Sequence, residues 1–148
     1  MDRTNNQIKP NVINTIPGQV TFSADFRHSD PAILEGQIDQ LRELVDEVAT
    51  RRGVEARIER FWTSESTPFD TRVQDAIRVS AAALGISTGE LWSGAGHDAK
   101  YLADVCPTGM IFVRSQGGLS HCEAEFSAPA DIEAGANLLL NAAVNLAG

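Results

Sequence analysis

The sequence predicts an α/β fold in two parts. Apolar and polar residues alternate over residues 20–27 and 54–59, as they do in half-buried strands, and residues 1–9 are predicted as the tail of another strand. Three longer segments carry apolar residues at intervals of three and four, the spacing of one helix face. Residues 62–69, rich in Ser, Thr and Pro, separate a strand-helix-strand unit over residues 19–62 from the helices that follow.

The composition is typical of a soluble globular protein, with 43% apolar and 22% charged residues among 148. A net charge of −8 argues against nucleic acid as a partner, because phosphate binding needs a basic face. No apolar run approaches the roughly 20 residues of a membrane span, and the N-terminus has no signal-peptide core. We therefore predict a cytoplasmic protein that binds no membrane. Cys106 and Cys122 lie outside any CxxC pair, which favours reduced thiols.

The first part contains the clearest helix. Pro17 and Gly18 are typical turn residues and precede the first of the two alternating strands. The helix begins with Asp30 as cap and Pro31 in the first turn, and it ends at Gly53. One buried face is predicted from the spacing of Leu34, Ile38, Leu41, Val45 and Val48.

The second part is predicted to contain three helices and one strand. Asp70 caps a helix that ends at Gly85, a brief helix covers residues 98–103, and residues 108–113 form a short buried strand. The last helix begins at Pro129, with a negative charge in its first turn from Asp131. The helix capped by Asp70 has the apolar stripe Val73, Ile77, Ala81 and Leu84. The last helix has the apolar stripe Ile132, Ala136, Leu139, Ala143 and Leu146.

Two glycine-rich loops carry the candidate chemistry. Residues 117–125, GGLSHCEAE, follow the predicted strand at 108–113, and α/β proteins place ligands where strands end. Two glycines there let a backbone approach a ligand closely, and His121 supplies an imidazole that can bind a metal. Residues 93–99, SGAGHDA, contain His97, 24 residues upstream.

Other side chains of these loops suggest weaker hypotheses. Cys122 has the thiol of a nucleophile, but no partner base is identifiable. Glu123 and Glu125 resemble an acid/base pair, although we favour a supporting or surface role for them. The glycines of residues 94–96 resemble a dinucleotide fingerprint only weakly, because no strong strand precedes them.

Together the loops resemble the C-terminal end of a known enzyme family. The matching motifs are SGAGHDA at 93–99, PTGMIFV at 107–113, GGLSH at 117–121 and AEFSAPAD at 124–131. The likeness continues upstream through Pro10-Asn11, Asn14, Ile16-Pro17-Gly18 and Asp25-Phe26-Arg27. The family is that of the dinuclear-zinc amidohydrolases, which includes N-carbamoyl-L-amino-acid hydrolases, hydantoinase-carbamoylases, allantoate amidohydrolases and β-ureidopropionases of the zinc aminopeptidase-like superfamily.

The resemblance implies roles for both histidines. His121 matches the single metal ligand from the C-terminal part of the catalytic domain, and its alternative is a hydrogen-bonded loop histidine. His97 matches a substrate-contacting histidine, and its alternative is a helix-entry residue beside a capping Asp98. We expect both imidazoles to face one concavity. Gly118 matches a position where the backbone comes close to the substrate.

The resemblance also implies a carboxylate-binding pair. Arg27 matches an arginine that binds the substrate carboxylate through two hydrogen bonds, a task suited to its planar guanidinium. Asn14 matches an asparagine that contacts the same group. The simpler alternatives are an exposed strand charge for Arg27 and an Asx turn before Pro17 for Asn14.

The architecture implied by the resemblance is incomplete. Residues 1–64 match half of an inserted ferredoxin-like lid that pairs between subunits, and residues 65–148 match the C-terminal part of a zinc-peptidase-like catalytic domain. Family members are much longer, and their N-terminal part supplies the catalytic Glu and the other metal ligands. The implied reaction is hydrolysis of a linear amide or ureido C–N bond, with zinc, manganese or cobalt as the cofactor.

A chain with three histidines cannot build a dinuclear site by itself. We therefore expect neither activity nor stable metal binding from this chain alone. Its expected partners are a small carbamoyl or ureido acid and either further copies in a homo-oligomer, such as a dimer, or an N-terminal polypeptide of a truncated or split enzyme. The alternative is a non-catalytic remnant that acts as a dimerisation module.

Overall fold

The structure is a computed structural model that describes residues 7–148. The chain divides into two compact units, Met1–Ser64 and Glu65–Gly148. The described residues form two strands, four α-helices and one short 3-10 turn, so the predicted α/β class is confirmed with fewer strands than expected. Among these residues, no helix combines the length and the apolar character needed to cross a bilayer.

The first unit contains a short hairpin. Strand β1 (Gln7–Lys9) pairs antiparallel with strand β2 (Gln19–Thr21), with Ile8 opposite Val20. The intervening loop is closed where the N–H of Gly18 donates to the carbonyl of Lys9 at 2.8 Å. The strand tail predicted in residues 1–9 is therefore present at β1, and residues 1–6 lie outside the described part of the chain.

Helix α1 (Pro31–Arg52) begins and ends where its capping residues predict. The carboxylate of Asp30 accepts a hydrogen bond from the N–H of Ala32 at 2.8 Å. Gly53 adopts the left-handed conformation with φ of 65°, and its N–H donates to the carbonyls of the last turn. Local chemistry thus fixes both ends of this helix.

The remaining strand predictions for this unit are wrong. Residues 22–27 and 54–59 join no sheet, and Phe22 and Val54 are 71% and 58% exposed. Alternation marks a segment suited to a half-buried surface, but a strand also needs a neighbour that accepts its hydrogen bonds. Neither described strand packs on α1, and the predicted stripe of that helix is only half-buried.

Two packed helices form the core of the second unit. Helix α2 (Thr71–Leu84) is capped by Asp70 and ends at Gly85, and helix α4 (Pro129–Ala147) begins at its proline, all as predicted. The two helices pack together and bury Ala81, Leu138 and Ala142. Ser80 is 1% exposed, and its hydroxyl accepts a hydrogen bond from the side-chain amide of Asn145 at 2.8 Å.

The predicted buried face of α4 is wrong. Its leucines Leu139 and Leu146 are 62% and 49% exposed, and the residues that pack on α2 lie on a neighbouring face. The cause is that α4 is apolar around most of its circumference, including three consecutive leucines, so spacing alone cannot select a face. On the observed side of α4, Asn145 bonds Ser80 of α2 and Gly135 lies against Val113. The exposed stripe consists of Ile132, Ala136, Leu139, Ala143 and Leu146.

Residues 108–113 cross both helices without forming the predicted strand. A Cβ atom on Gly109 would lie 2.6 Å from Val73 Cγ1 of α2, and a Cβ atom on Gly135 of α4 would lie 2.3 Å from Val113 Cγ1. The segment therefore touches α2 at its start and α4 at its end. It has no strand neighbour among the described residues, and Val113 is exposed, so the prediction of a buried strand is wrong.

Candidate functional site

The loop that contains His97 is organised by a serine. Ser93 Oγ lies 2.7 Å from His97 Nε2, and it also accepts a hydrogen bond from the N–H of Ala95 at 3.3 Å. His97 is the N-terminal cap residue of helix α3 (Asp98–Ala103), which forms where predicted. No side chain caps this helix, so Asp98 does not have the capping role considered as an alternative. Both Ser93 and His97 are half-buried.

The His97 ring also packs against the segment that leads to the second loop. Its centroid lies 5.4 Å from that of Phe112, with an interplanar angle of 67°, an edge-to-face arrangement. Phe112 lies nine residues before His121, so the two histidine loops are connected through one short piece of backbone. Among the described residues, no hydrogen bond joins the two imidazoles. That they face one concavity stays a prediction.

The second loop has an unusual concentration of left-handed residues. Gly117 and Gly118 have φ of 67° and 69°, and His121 has φ of 58°, which is uncommon for a residue with a side chain. The loop is closed at its base, where the N–H of Gln116 donates to the carbonyl of Phe126 at 2.8 Å. A Cβ atom on Gly118 would meet nothing within 4 Å, so the backbone conformation, and not a lack of space, favours glycine there.

Glu125 supports the conformation of His121. Its carboxylate accepts a hydrogen bond from the backbone N–H of His121 at 2.8 Å. A left-handed conformation in a residue with a side chain costs about 1–2 kcal/mol, and this bond offsets part of that cost. The His121 side chain is exposed and has no hydrogen-bond partner in residues 7–148, which disfavours a hydrogen-bonded loop histidine. Glu125 thus has the supporting role favoured from the sequence.

The described residues do not complete a metal site. Zinc in proteins has three or four protein ligands in tetrahedral geometry. Residues 7–148 contain no cluster of three or more His, Cys, Asp or Glu side chains that could hold a metal ion. That His121 is a metal ligand stays a prediction.

Arg27, in the first unit, is already paired. Its guanidinium donates to both carboxylate oxygens of Asp25, with Nη2 to Oδ2 at 2.6 Å. These hydrogen bonds lower the pKa of the Asp25 carboxyl and raise the pKa of Arg27 relative to their ordinary values. The predicted carboxylate-binding arginine thus holds a carboxylate of its own chain.

Asn14 and His28 occupy turns of the first unit. Asn14 is exposed in a turn closed from the N–H of Thr15 to the carbonyl of Val12 at 3.3 Å, and its side chain makes no hydrogen bond of the kind expected for an Asx turn within the described residues. His28, to which the sequence assigned no role, accepts the N–H of Asp30 on Nδ1 at 2.9 Å. It therefore supports the start of α1.

Sequence reasoning missed the contacts that hold the candidate residues. Neither Ser93 nor Asp25 was assigned a function, although both lie inside the motifs that were recognised. A signal existed for Asp25, because residues two apart in an extended segment point to the same side. Cys106 and Cys122 are exposed free thiols, as expected from their spacing.

The chain matches the model of the peptidase family M20/M25/M40 over residues 4–145. It is 36% identical to an allantoate amidohydrolase of Bacillus subtilis over 139 residues, which are 94% of this chain and 34% of that protein. It is 38% identical to an N-carbamoyl-L-amino-acid amidohydrolase of Rhizobium meliloti over 138 residues, which are 93% of this chain and 33% of that protein. The chain thus spans about a third of the length of these relatives.

Solved structures show the same relationship. A hydantoinase/carbamoylase family amidase from Burkholderia multivorans superimposes with a TM-score of 0.84 at 44% identity, covering 93% of this chain and 33% of that chain. The corresponding amidase from Burkholderia ambifaria gives a TM-score of 0.84 at 38% identity, covering 97% of this chain and 34% of that chain. The backbone described above therefore corresponds to a third of a larger known fold.

Proposed function

This chain belongs to the peptidase family M20/M25/M40, and we propose that it is the C-terminal portion of an amidohydrolase that cleaves linear amide or ureido C–N bonds. The proposed substrates are N-carbamoyl-L-amino acids or allantoate-like ureido acids, the classes named in its relatives. The supporting observation is that similarity to these enzymes extends over both histidine loops and the Asp25–Arg27 segment. A non-catalytic dimerisation module gains no support from relatives that are named as hydrolases.

Each candidate residue has a proposed task. Arg27 holds the substrate carboxylate with Asn14 beside it, and this requires the substrate to replace Asp25 on the guanidinium. His97 donates a hydrogen bond to a carbamoyl or carboxylate oxygen, and the backbone at Gly118 lines the same substrate. No atom lies within 4 Å of the position that a Cβ would take on Gly118, and this open space suits close approach of a ligand.

His121 is proposed as one metal ligand of the complete site. The family is generally metal-dependent, and zinc, manganese or cobalt are the proposed ions. The side chain of His121 is exposed, and its backbone is fixed by Glu125, as a ligand that is oriented before binding would be. The remaining ligands and the general base come from polypeptide outside these 148 residues, so the chain alone is proposed to be inactive.

One exposed apolar stripe and one strand edge support the proposal of partner binding. The stripe Ile132, Ala136, Leu139, Ala143 and Leu146 of α4 is proposed to pack on the polypeptide that completes the catalytic domain. In the first unit, the free edge of the two-stranded hairpin and the half-buried stripe of α1 are proposed to promote self-association as part of a lid. Free exposed thiols on the second unit suit the proposed cytoplasmic location.

A chimera tests the proposed function. This chain replaces the matched third of the Rhizobium meliloti enzyme, and the product is assayed with a panel of N-carbamoyl-L-amino acids and with allantoate. We expect turnover of at least one of them, and His121→Ala should lower kcat/KM by at least about a hundredfold because a metal ligand is lost. Glu123→Gln is the matched control, since Glu123 is exposed in the same loop.

Two outcomes would contradict the proposal. One is a folded, metal-loaded chimera without turnover of any of these substrates. The other is a His121→Ala chimera as active as the unmodified one. Circular dichroism and metal content of each variant separate loss of folding from loss of function.

A further inference from the structure

Ser93 is placed to control which nitrogen of His97 carries the proton. Its hydroxyl oxygen lies 2.7 Å from Nε2, a short distance for a hydrogen bond between a hydroxyl and a ring nitrogen. The same oxygen accepts the N–H of Ala95 at 3.3 Å. A serine hydroxyl has one hydrogen to donate and two lone pairs to accept with, so Ser93 accepts from Ala95 and still has its hydrogen for a second partner.

The two contacts favour one direction for the bond to His97. Acceptance from an Nε2–H would leave the Ser93 hydroxyl hydrogen without an acceptor in residues 7–148, whereas donation to Nε2 gives it one. With Ser93 as the donor, the neutral imidazole carries its proton on Nδ1. Phe112 packs edge-to-face with the ring and limits its rotation.

We infer that Ser93 is a positioning residue that holds His97 as the Nδ1–H tautomer and so presents Nδ1–H as a donor to a ligand oxygen. In the described part of the chain, Nδ1 has no hydrogen-bond partner, and the side chain is only half-buried. A carbonyl or carboxylate oxygen is the complementary ligand group. That last step rests on the proposed function, whereas the tautomer does not.

A serine–histidine nucleophile is the other arrangement that this geometry suggests, and the structure disfavours it. An activated serine needs a base whose second nitrogen is oriented by a third group, and Nδ1 of His97 has no such partner among the described residues. The N–H of Ala95 also donates a hydrogen bond to the Ser93 oxygen that would attack. Ser93 therefore positions His97 and forms no bond to substrate.

The test is a long-range ¹H–¹⁵N spectrum of the intact chain, recorded at alkaline pH. The chain has three histidines, so assignment by single replacement is direct. His97 should show a protonated Nδ1 and an unprotonated, hydrogen-bonded Nε2. His28 and His121 lie outside the Ser93 loop, so their signals serve as internal references.

Two variants separate positioning from folding. Ser93→Ala should move His97 toward the Nε2–H tautomer while the His28 and His121 signals stay in place, and Ser93→Thr, which keeps the hydroxyl, should restore the original pattern. In the active chimera, Ser93→Ala should lower kcat/KM by roughly tenfold, the effect of one hydrogen bond, and Ser93→Thr should recover it.

Three results would overturn the inference: an Nε2–H signal for His97 in the unmodified chain, a Ser93→Ala spectrum identical to it, or no recovery with threonine. An inactive chimera with the expected spectra would count against the proposed function and leave the tautomer assignment intact. The spectra therefore test the tautomer of His97, and the chimera separately tests the proposed function.

Discussion

Replacing Gly135 by alanine should destabilise the second unit, whereas the same replacement at Gly36 should stabilise the first. Both glycines lie inside helices, Gly36 in α1 and Gly135 in α4. A Cβ atom on Gly36 would meet nothing within 4 Å, but a Cβ atom on Gly135 would lie 2.3 Å from Val113 Cγ1. The two sites therefore differ in packing and share the same backbone preference.

The magnitudes follow from that difference. Alanine in a helix interior is favoured over glycine by about 0.5–1 kcal/mol, which is the expected gain at Gly36. At Gly135 the same gain is opposed by overpacking of about 1–3 kcal/mol, because carbon atoms normally stay about 3.5–4 Å apart. We expect a net loss of about 1 kcal/mol. The difference between the two variants, about 1–3 kcal/mol, isolates the contact with Val113.

Native-state hydrogen exchange suits this comparison. The two units need not unfold together, so a single melting curve would mix them, whereas amides of α1 and α4 report each unit separately. Val113→Ala removes the clashing methyl groups and should rescue Gly135→Ala, giving a coupling free energy of about 1–3 kcal/mol. If Gly135→Ala stabilises α4 as much as Gly36→Ala stabilises α1, residues 109–113 do not cross α4 as described.

Four further predictions concern the core, the ion pair, activity and assembly. Asn145→Ala should lower the unfolding free energy of the second unit by about 1–3 kcal/mol, because it leaves the buried Ser80 hydroxyl without its partner. Hydrogen exchange of α4 amides should show a smaller loss when Ser80→Ala is added. Asp25→Asn should cost less than about 1 kcal/mol, because both side chains of the pair are more than half exposed. Since the folded pKa of Asp25 is lowered, the stabilisation is complete above the ordinary aspartate pKa and is lost as the pH falls through the folded pKa, so the stability curves of wild type and variant should converge in acid. The chain alone should not hydrolyse N-carbamoyl amino acids or allantoate with added zinc, manganese or cobalt, and turnover above a His121→Ala control would contradict this. Light scattering at micromolar concentration should detect self-association, and a monodisperse monomer would refute it.

The helix boundaries could be predicted because their causes are local. Asp30 and Gly53 each satisfy backbone groups within a few residues of themselves, and so do Asp70 and Gly85. The lack of strands at residues 22–27, 54–59 and 108–113 and the packed face of α4 could not be predicted, because they depend on which distant surface is present. The hydroxyl of Ser80 is an example, since its partner Asn145 lies 65 residues away.

In the candidate site, too, some features could be predicted from the sequence and others could not. The motifs identified His97 and His121, because glycine-rich loops and imidazoles are visible in the sequence. The contacts that orient them, from Ser93 and Glu125, depend on loop conformations that no periodicity describes. The left-handed conformation of His121 is an example, since a non-glycine residue gives no sign of it in advance.

The failed burial predictions have one explanation within the proposed function. The mispredicted residues of the alternating segments and of α4 are apolar, and they are exposed in this chain, whereas a self-contained domain rarely exposes connected apolar surface of this kind. The backbone superimposes on that of a known amidase with a TM-score of 0.84. In those amidases about two thirds of the chain lies beyond the match, since the match covers 33%. If the proposed function is correct, additional polypeptide would cover the alternating residues at 54–59 and the exposed stripe of α4. Both patterns would then report burial that these 148 residues do not provide alone.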